Sequence, residues 1–277
     1  MLRYKLERDI KIILSDIDGT FLKDDKHPTE LTARAAKAVV AKGLKFAFVS
    51  ARMPEAIYPI TDALGMAHTP VISYGGGLVL TEREEVLFDK KIPADDARNI
   101  LVEMKRWQDI TINFYAGRRW FVEEIDRRVQ FEMDITQATA ELASFDALLN
   151  ENIFPNKIMV ICEPPTCEDM ERDLGKIFPA LNVVRSAPYL LEVMDKTISK
   201  ATGIKVLLDH YGFALDEAIA FGDNYNDAEM LELVPQSVAM GNAPAAVKKL
   251  AAAVTDTNED SGIYTYLVKV GVIEEAD

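Results

Sequence analysis

The residues with the clearest chemical potential are two aspartates two positions apart, Asp16 and Asp18, followed by Gly19. They come directly after the apolar run from Ile10 to Ser15, a pattern typical of a strand buried on both faces. Two carboxylates that leave one strand point the same way, and like charges this close repel unless a cation neutralises them. The pattern predicts a divalent cation here; an Asp-rich turn after a strand is the plainer alternative.

A second acidic cluster follows another apolar segment, residues 218–221, which runs into Gly-Asp-Asn-Tyr-Asn-Asp at 222–227. Asp223, Asn224 and Asp227 offer the oxygen ligands that six-coordinate Mg²⁺ prefers. In an open parallel sheet, ligands bind at the carboxyl ends of the strands, where both clusters are predicted to lie. A solvated turn is the alternative, but it does not explain why a second acidic cluster follows a core strand.

Two further segments could bind a phosphate. Ser50-Ala51-Arg52 follows an apolar strand, and a hydroxyl with successive backbone N–H groups just before a helix can cradle an anion. A serine that caps a helix is nevertheless commonplace. Lys200 opens a later helix and could balance two aspartates and a phosphoryl group, although a lone lysine usually lies at the surface.

The elements that must position these residues alternate between strand and helix at both ends of the chain. Near the N-terminus the pattern predicts a helix from Thr29 to Lys42, a strand over 45–49 and a helix over 54–64. The C-terminal third repeats the rhythm, with predicted elements at 200–212, 218–221, 227–233, 237–240, 244–250 and 252–255. This alternation predicts βαβ units and a parallel sheet.

The middle of the chain has a different pattern. From about residue 84 to 188 it combines an amphipathic helix over 94–107 with alternating strands over 111–115 and 157–161, which predicts an antiparallel sheet. The predicted fold class is therefore α/β, a Rossmann-like parallel-sheet core with an inserted α+β cap domain. The core is expected to span residues 1–83 and 189–277, and the cap residues 84–188.

Composition and charge exclude several classes of protein. The net charge of −14 over 277 residues argues against a nucleic-acid partner, because a phosphate backbone requires a basic face. The longest apolar stretches are too short to span a membrane, and the N-terminus lacks the apolar block of a secretory signal, so a cytoplasmic location is expected. Three scattered histidines (His27, His68 and His210) do not complete a metal site with Cys162 and Cys167, which are expected to be two reduced thiols without chemistry.

Taken together, the motifs resemble the haloacid dehalogenase superfamily, specifically its Cof-type sugar phosphatases of subfamily IIB with a C2 cap. Asp-Ile-Asp-Gly-Thr at 16–20 resembles the first motif of that group, Ser50 the second, Lys200 the third and residues 222–227 the fourth. Two C-terminal segments, 238–243 and 254–258, also resemble the group.

The departures from this family are small. The chain has Ser-Ala-Arg at 50–52 where Thr-Gly-Arg is usual, and Tyr-Gly-Gly-Gly at 74–77 where Asn-Gly-Ala is common. The first change keeps the hydroxyl but places a bulkier alanine where a phosphate oxygen would meet the backbone. The second puts specificity, not catalysis, in question.

The resemblance implies a Mg²⁺-dependent phosphatase that acts on a small phosphorylated metabolite. Sugar phosphates are the leading class, while flavin mononucleotide and pyridoxal phosphate stay open. The resemblance also implies that Asp16 attacks phosphorus to form an aspartyl-phosphate and that Asp18 acts as general acid and then general base. A monomer or a weak homo-oligomer is expected.

The same resemblance implies the ligand sets. Mg²⁺ would be held by Asp16, the Asp18 backbone carbonyl and Asp223, with Asn224 or Asp227 acting directly or through water. The phosphoryl oxygens would be cradled by a second group of residues: Ser50, Ala51, Lys200 and Asn226. Cap segments 113–119 and 156–159 are candidates for contact with the leaving group.

Two other functions remain to be weighed. A phosphomutase would reuse the phosphorylated aspartate for transfer and would have to shield it from water. A non-catalytic sensor of phosphate ligands would be expected to have lost one acid of the Asp16 and Asp18 pair, yet both are present.

Overall fold

The computed structural model describes residues 9–66 and 69–275. Its strands, in chain order, are β1 (Ile12–Ser15), β2 (Lys45–Val49), β3 (Val71–Ser73), β4 (Leu78–Leu80), β5 (Val86–Asp89), β6 (Thr111–Ala116), β7 (Arg119–Val122), β8 (Ala140–Leu142), β9 (Lys157–Ile161), β10 (Leu181–Ala187), β11 (Leu190–Asp195), β12 (Ala218–Gly222), β13 (Gln236–Ala239) and β14 (Ala253–Val254). Its α-helices are α1 (Glu30–Ala41), α2 (Tyr58–Ala63), α3 (Ala94–Met104), α4 (Arg127–Thr136), α5 (Phe145–Asn150), α6 (Pro164–Ile177), α7 (Lys200–Tyr211), α8 (Ala228–Leu233), α9 (Ala245–Lys248) and α10 (Gly262–Lys269).

The chain divides into two compact units. Unit 1 comprises Met1–Arg52, Ile60–Phe88 and Ser199–Asp277, within the described residues, and unit 2 comprises Met53–Pro59 and Asp89–Ile198. The sequence analysis placed the corresponding boundaries earlier, after residues 83 and 188. The reason for the difference is that β5 still belongs to the sheet of unit 1 and β11 to that of unit 2.

Unit 1 contains an eight-stranded sheet in the order β14-β13-β12-β1-β2-β3-β4-β5. The pairings from β14 through β3 are all parallel, whereas β4 pairs with β3 antiparallel. Strand β1 lies at the centre, with all four residues buried, as its continuous apolar run predicts. The predicted α/β class and parallel core are confirmed.

Local signals in the sequence explain several element boundaries in unit 1. The Thr29 side chain caps α1 by accepting a hydrogen bond from the Thr32 N–H, and Gly212 ends α7 in a left-handed conformation. The single helix predicted over 54–64 is wrong, because the structure has a 3₁₀ turn at Pro54–Ala56 and then α2 from Tyr58.

Unit 2 contains a six-stranded sheet in the order β10-β11-β9-β6-β7-β8. Its pairings are antiparallel except for β7 with β8, which is parallel. Apolar residues from one face of this sheet pack with helices α3, α5 and α6 to form its core; they include Phe114, Ile158 and Leu191. The antiparallel sheet predicted for this segment is thus present, and the role of unit 2 as a cap stays a prediction.

The expectation of two reduced thiols is wrong in this structure, because Cys162 and Cys167 form a disulfide. Cys162 follows β9, and Pro164 begins α6, so the chain turns back at once and brings the two Cα atoms to 5.8 Å. The two cysteines were considered only as metal ligands, but a turn of this length from a strand into a helix brings their side chains together.

The two histidines that the structure describes are scattered, as they are in the sequence. His27 is exposed beside Asp25, His210 lies in the last turn of α7, and His68 lies outside the described residues. Within 9–66 and 69–275, none of the helices has the length and apolar character that crossing a bilayer requires.

Candidate active site

The sheet of unit 1 brings three loops that carry candidate residues to one edge. In the register of β1, Ser15 pairs with Phe48 of β2 and with Phe221 of β12, so the carboxyl ends of these strands lie side by side. Asp16 follows the first strand directly, and its N–H donates to the Phe221 carbonyl over 3.0 Å. The loops that begin at Ser50 and at Asp223 therefore flank Asp16, as the strand-end argument predicted.

A buried lysine joins two of the aspartates. Lys200, the first residue of α7, places Nζ at 2.5 Å from both Asp16 Oδ1 and Asp227 Oδ1. All three side chains are almost inaccessible to solvent. Because two carboxylates face one ammonium in a dry site, their pairing raises the pKa of Lys200 and keeps it charged, against the opposing effect of burial.

The acidic residues outnumber this one cation. Ligand atoms of Asp16, Asp223 and Asp227 all lie within 4.8 Å of one another. Burial raises the pKa of Asp16, with neighbouring carboxylates adding to the effect and Lys200 opposing it. Burial likewise raises the pKa of Asp223 to about 6. Burial and the neighbouring carboxylates both disfavour the charged forms of Asp16 and Asp223, and a divalent cation would offset both effects.

Asp223 is held by neighbours from two other segments. Its Oδ1 accepts a hydrogen bond of 2.7 Å from the Thr20 hydroxyl, and its Oδ2 lies 3.4 Å from Asn242 Nδ2. Asn242 also donates to the Gly19 carbonyl over 2.8 Å. Gly19 has a φ of +80°, and a Cβ atom there would lie 2.5 Å from Asp223 Oδ2, so only glycine allows this approach.

Asp18 lies in a different electrostatic environment. The Arg52 guanidinium donates to both of its carboxylate oxygens, over 2.9 and 2.8 Å, and Lys26 Nζ donates to Oδ1 over 2.9 Å. Hydrogen bonds from Arg52 and then Lys26 outweigh the effect of burial and lower the pKa of Asp18 to about 2. The site therefore raises the pKa of Asp16 and lowers the pKa of Asp18.

The other predicted residues are placed as follows. Ser50 is buried, and its hydroxyl accepts the Arg52 N–H over 3.2 Å, which fixes the loop that also carries the half-buried Ala51. Asn224 and Asn226 are exposed, and the Asn224 side chain accepts the N–H of Tyr225. The structure thus gathers Asp16, Lys200, Asp223 and Asp227 tightly and leaves the two asparagines at the rim of their loop.

Both oxygens of Asp227 are already engaged. Oδ1 contacts Lys200, while Oδ2 accepts the N–H groups of Asp223 and Asn224 over 2.8 and 3.0 Å. A Cβ atom on Gly222 would lie 2.7 Å from the Asp227 Cβ, so the loop closes tightly on this side chain. Asp227 therefore shapes the loop that presents Asp223.

Sequence reasoning gave no role to four residues that the structure places here, namely Thr20, Lys26, Arg52 and Asn242. Asn242 follows β13, which pairs with β12 in parallel, so the strand-end rule that found Asp223 could have found it too. Arg52 is the last residue of the motif Ser-Ala-Arg at 50–52, which was considered only for phosphate binding. Lys26 carries no signal, because a loop returns it to Asp18 from eight residues away.

Comparison with known proteins supports one family. The model of the haloacid dehalogenase-like hydrolases matches residues 13–267. A candidate phosphatase of Haemophilus influenzae is 32% identical over 254 residues, covering 91% of this chain and 95% of that protein. The candidate phosphatase YkrA of Bacillus subtilis is 29% identical, covering 96% of this chain and 100% of that protein.

Solved structures agree with the sequence comparison. A haloacid dehalogenase-like hydrolase from Bacteroides thetaiotaomicron superimposes with a TM-score of 0.84 at 27% identity, covering 95% of this chain and 100% of that chain. A sugar phosphatase of haloacid dehalogenase subclass IIB superimposes with a TM-score of 0.81 at 25% identity, with the same coverage. The resemblance inferred from the motifs is thereby confirmed: this chain belongs to the haloacid dehalogenase-like hydrolases.

Proposed function

We propose that this protein is a Mg²⁺-dependent phosphatase that hydrolyses small phosphorylated metabolites, most favourably sugar phosphates, through an aspartyl-phosphate on Asp16. One observation carries the proposal: the Asp16 carboxylate lies buried among Asp223, Asp227 and Lys200 at the carboxyl edge of a parallel sheet. Its relatives among candidate phosphatases support the reaction class.

The chemistry divides into two displacements at phosphorus. In the first, an Asp16 oxygen attacks the phosphorus, the bond from phosphorus to the ester oxygen breaks, and the departing oxygen takes a proton from Asp18. In the second, water attacks the phosphorus, Asp18 accepts a proton from that water, and the bond to Asp16 breaks to release inorganic phosphate. General acid–base assistance of this kind contributes roughly 10²–10⁴ in rate.

The charge on Asp18 favours the second displacement. A carboxylate whose pKa lies near 2 is ionised at neutral pH, which is the form that accepts a proton from water. The first displacement requires the protonated form, and the ion pairs with Arg52 and Lys26 oppose it. We infer that a bound phosphoryl group, itself an anion, draws at least one of these cations away and so allows Asp18 to carry the proton.

The residues present fit a hard divalent cation. Oxygen donors from Asp16 and Asp223, with the Asp18 carbonyl, form the proposed direct ligand set. Ligand atoms of Asp16, Asp223 and Asp227 lie within 4.8 Å of one another, and burial together with the neighbouring carboxylates raises the pKa of both Asp16 and Asp223. When bound, Mg²⁺ would neutralise the charge of the transferring phosphoryl group. Asp227 and Asn224 are proposed to act on the cation only through water or through Asp223, because Asp227 is already bonded to Lys200 and the loop.

The phosphoryl oxygens would meet Lys200, the Ser50 hydroxyl, the N–H of Ala51 and Asn226. Lys200 supplies the charge, since its ammonium already lies 2.5 Å from the nucleophile. We propose that unit 2 sets specificity, by analogy with the sugar phosphatase of subclass IIB. Several candidate lining residues already have structural partners; Asn113, for instance, bonds to Met159 and Trp120 within unit 2.

The decisive experiment measures phosphate release from a panel of phosphorylated metabolites with Mg²⁺ and with a chelator. Asp16→Asn should fold, as judged by circular dichroism, and should release no phosphate, while exposed Asp209→Asn should match the wild type. Substantial Mg²⁺-dependent turnover by Asp16→Asn would refute the nucleophile assignment. Phosphate transfer between sugar phosphates without release of inorganic phosphate would support a phosphomutase. Saturable binding of a phosphorylated metabolite without its turnover would support a non-catalytic sensor.

A further inference from the structure

The turn that follows β3 has an uncommon backbone conformation. Tyr74, Gly75 and Gly76 all have positive φ angles, of 51°, 61° and 108°. A positive φ is unfavourable for a tyrosine, and a φ near 108° is essentially restricted to glycine. Tyr74 is nevertheless fully buried. Strained backbone of this kind persists only where the surrounding structure imposes it, so its contacts are informative.

One side of this turn holds the loop that carries Ser50. The Gly75 N–H donates to the Ser50 carbonyl over 2.9 Å, and the Tyr74 N–H donates to the Arg52 carbonyl over 3.1 Å. The Ser50 N–H in turn donates to the Ile72 carbonyl over 2.8 Å. The residues on both sides of Ala51 are therefore fixed by backbone hydrogen bonds to β3 and to its turn.

The other side of the turn touches the first turn of α7. A Cβ atom on Gly76 would lie 2.0 Å from the Ser199 carbonyl oxygen, and Ser199 is the N-cap of this helix. A Cβ atom on Gly203 would lie 3.0 Å from the Gly76 Cα and 2.5 Å from the Ile72 Cγ2. Two glycines thus allow backbone to meet backbone at the point where α7 begins.

Lys200 is the residue that this contact places. It directly follows Ser199, and its buried Nζ has to meet both Asp16 and Asp227 at 2.5 Å. We propose that the backbone of the turn after β3 holds Lys200 and the Ser50 loop at a fixed separation. The positioning residues are the two glycines at its contact with α7, Gly76 and Gly203, which act through Lys200. This inference rests on the proposed function, because it assumes that the phosphoryl group binds between these two elements.

The test compares Gly76→Ala with Gly75→Ala. Gly75 lies in the same turn with a positive φ, but a Cβ atom there meets nothing within 4 Å. Both variants strain the backbone, and only Gly76→Ala pushes Ser199 and so Lys200 away. Because a misplacement of about 1 Å can cost about 10²-fold in rate, we expect kcat to fall by about that factor in Gly76→Ala and to stay near the wild-type value in Gly75→Ala.

Two further measurements separate positioning from general damage. The affinity for inorganic phosphate in the presence of Mg²⁺ should fall in Gly76→Ala and not in Gly75→Ala. In a Lys200→Ala background, the Gly76→Ala change should add little to the loss already caused by removing the lysine. Gly203→Ala is the alternative variant if Gly76→Ala does not fold, because the atom nearest to its Cβ is a side-chain methyl carbon, Ile72 Cγ2, and not a backbone carbonyl.

The outcomes can be told apart from a failure of the proposed function. If the wild type releases no phosphate from any ester, the proposed function fails, and crystal structures of the two variants decide the positioning alone. A Lys200 Nζ displaced from Asp16 in Gly76→Ala and retained in Gly75→Ala supports the inference. Equal kcat and phosphate affinity in the two variants, an undiminished effect in the Lys200→Ala background, or an unmoved Lys200 would overturn it.

Discussion

Each unit contains a buried lysine that contacts a carboxylate, but the two lysines have different surroundings. In unit 2, Lys157 contacts Glu192 at 3.2 Å, both nearly inaccessible, with the Tyr115 ring 5.3 Å from the ammonium. In unit 1, Lys200 faces Asp16 and Asp227 at once, with Asp223 close by. Over these contacts, the first arrangement is balanced, with one carboxylate for one ammonium, whereas the second has three carboxylates for one ammonium.

This difference distinguishes the ion pair of unit 2 from the cluster that we propose as the catalytic site. Burial raises the pKa of Asp16, and the neighbouring carboxylates of Asp227 and Asp223 raise it further, while Lys200 opposes both effects. Ser186 also donates to Glu192, over 3.2 Å, so the carboxylate in unit 2 has a hydroxyl donor besides the lysine. Unmatched charge in a buried cluster is costly for folding, and it is retained where a ligand or cation compensates it.

The largest expected effect concerns the balanced pair. Lys157→Met leaves Glu192 buried and unpaired, so we expect it to lower the free energy of unfolding by about 3–5 kcal/mol. The exposed Lys176→Met in the same unit serves as the control, and urea unfolding is the measurement. The double variant Lys157→Met/Glu192→Leu should recover most of the loss; failure to recover would show that the pair is not self-contained.

The corresponding change in unit 1 should act on catalysis. Lys200→Met removes the positive charge nearest the proposed nucleophile, and we expect kcat to fall by about 10²–10³-fold, the usual effect of deleting one donor to a developing charge. Lys205→Met, on the exposed face of the same helix, is the matched control. Turnover near the wild-type rate in Lys200→Met would remove the distinction drawn between the two lysines.

Mg²⁺ should stabilise the unbalanced cluster. At a hundredfold excess over its dissociation constant, Mg²⁺ would raise the free energy of unfolding by about 2.7 kcal/mol, because it binds only the folded state. This increase should disappear in Asp223→Asn and persist in the exposed Asp209→Asn, as measured by thermal unfolding with and without Mg²⁺. An equal increase in all three proteins would place the cation elsewhere.

The smallest expected effect is a shift in pH dependence through the partly exposed ion pair of Asp18. Because Arg52 lowers the pKa of Asp18 to about 2, the carboxylate stays ionised until the pH falls towards that value. Arg52→Gln raises this pKa, so the protonated form that the first displacement requires persists to a higher pH. The limb of kcat/KM on which Asp18 loses its proton should therefore move to higher pH. Lys23→Gln, whose partner is Asp25, should leave the profile unchanged; a shared shift would exclude Arg52 as the cause.

Much of the fold was accessible from local sequence patterns. The apolar run before Asp16 and the capping residue Thr29 predicted β1 and α1, because burial on both faces and helix capping depend on neighbouring residues. The helix predicted over 54–64 failed because its first residues form a 3₁₀ turn that groups with unit 2. The spacing of apolar residues along the chain does not reveal which unit a short segment joins.

The candidate site was only partly accessible. Asp16 and Asp223 could be found because parallel strands end at one edge, a rule that follows from topology. Arg52 and Lys26 could not be assigned to Asp18, since their contacts depend on side-chain directions and on a returning loop. The disulfide between Cys162 and Cys167 was missed because the geometry of the turn, and not the number of cysteines, decides it.

By itself, the sequence determined the family and the reaction class, and it predicted which strand ends carry the candidate residues. It could do so because the order and spacing of charged motifs can be recognised without any knowledge of side-chain packing. Only the tertiary structure decided the balance of charge: which carboxylates share Lys200, which cations hold Asp18, and how closely Gly76 lets α7 approach. These depend on distances of a few ångströms between residues remote in the chain, and electrostatic interactions in a buried site change steeply over such distances. Asp16 and Asp18 stand two positions apart in the sequence, yet the fold raises the pKa of one and lowers that of the other.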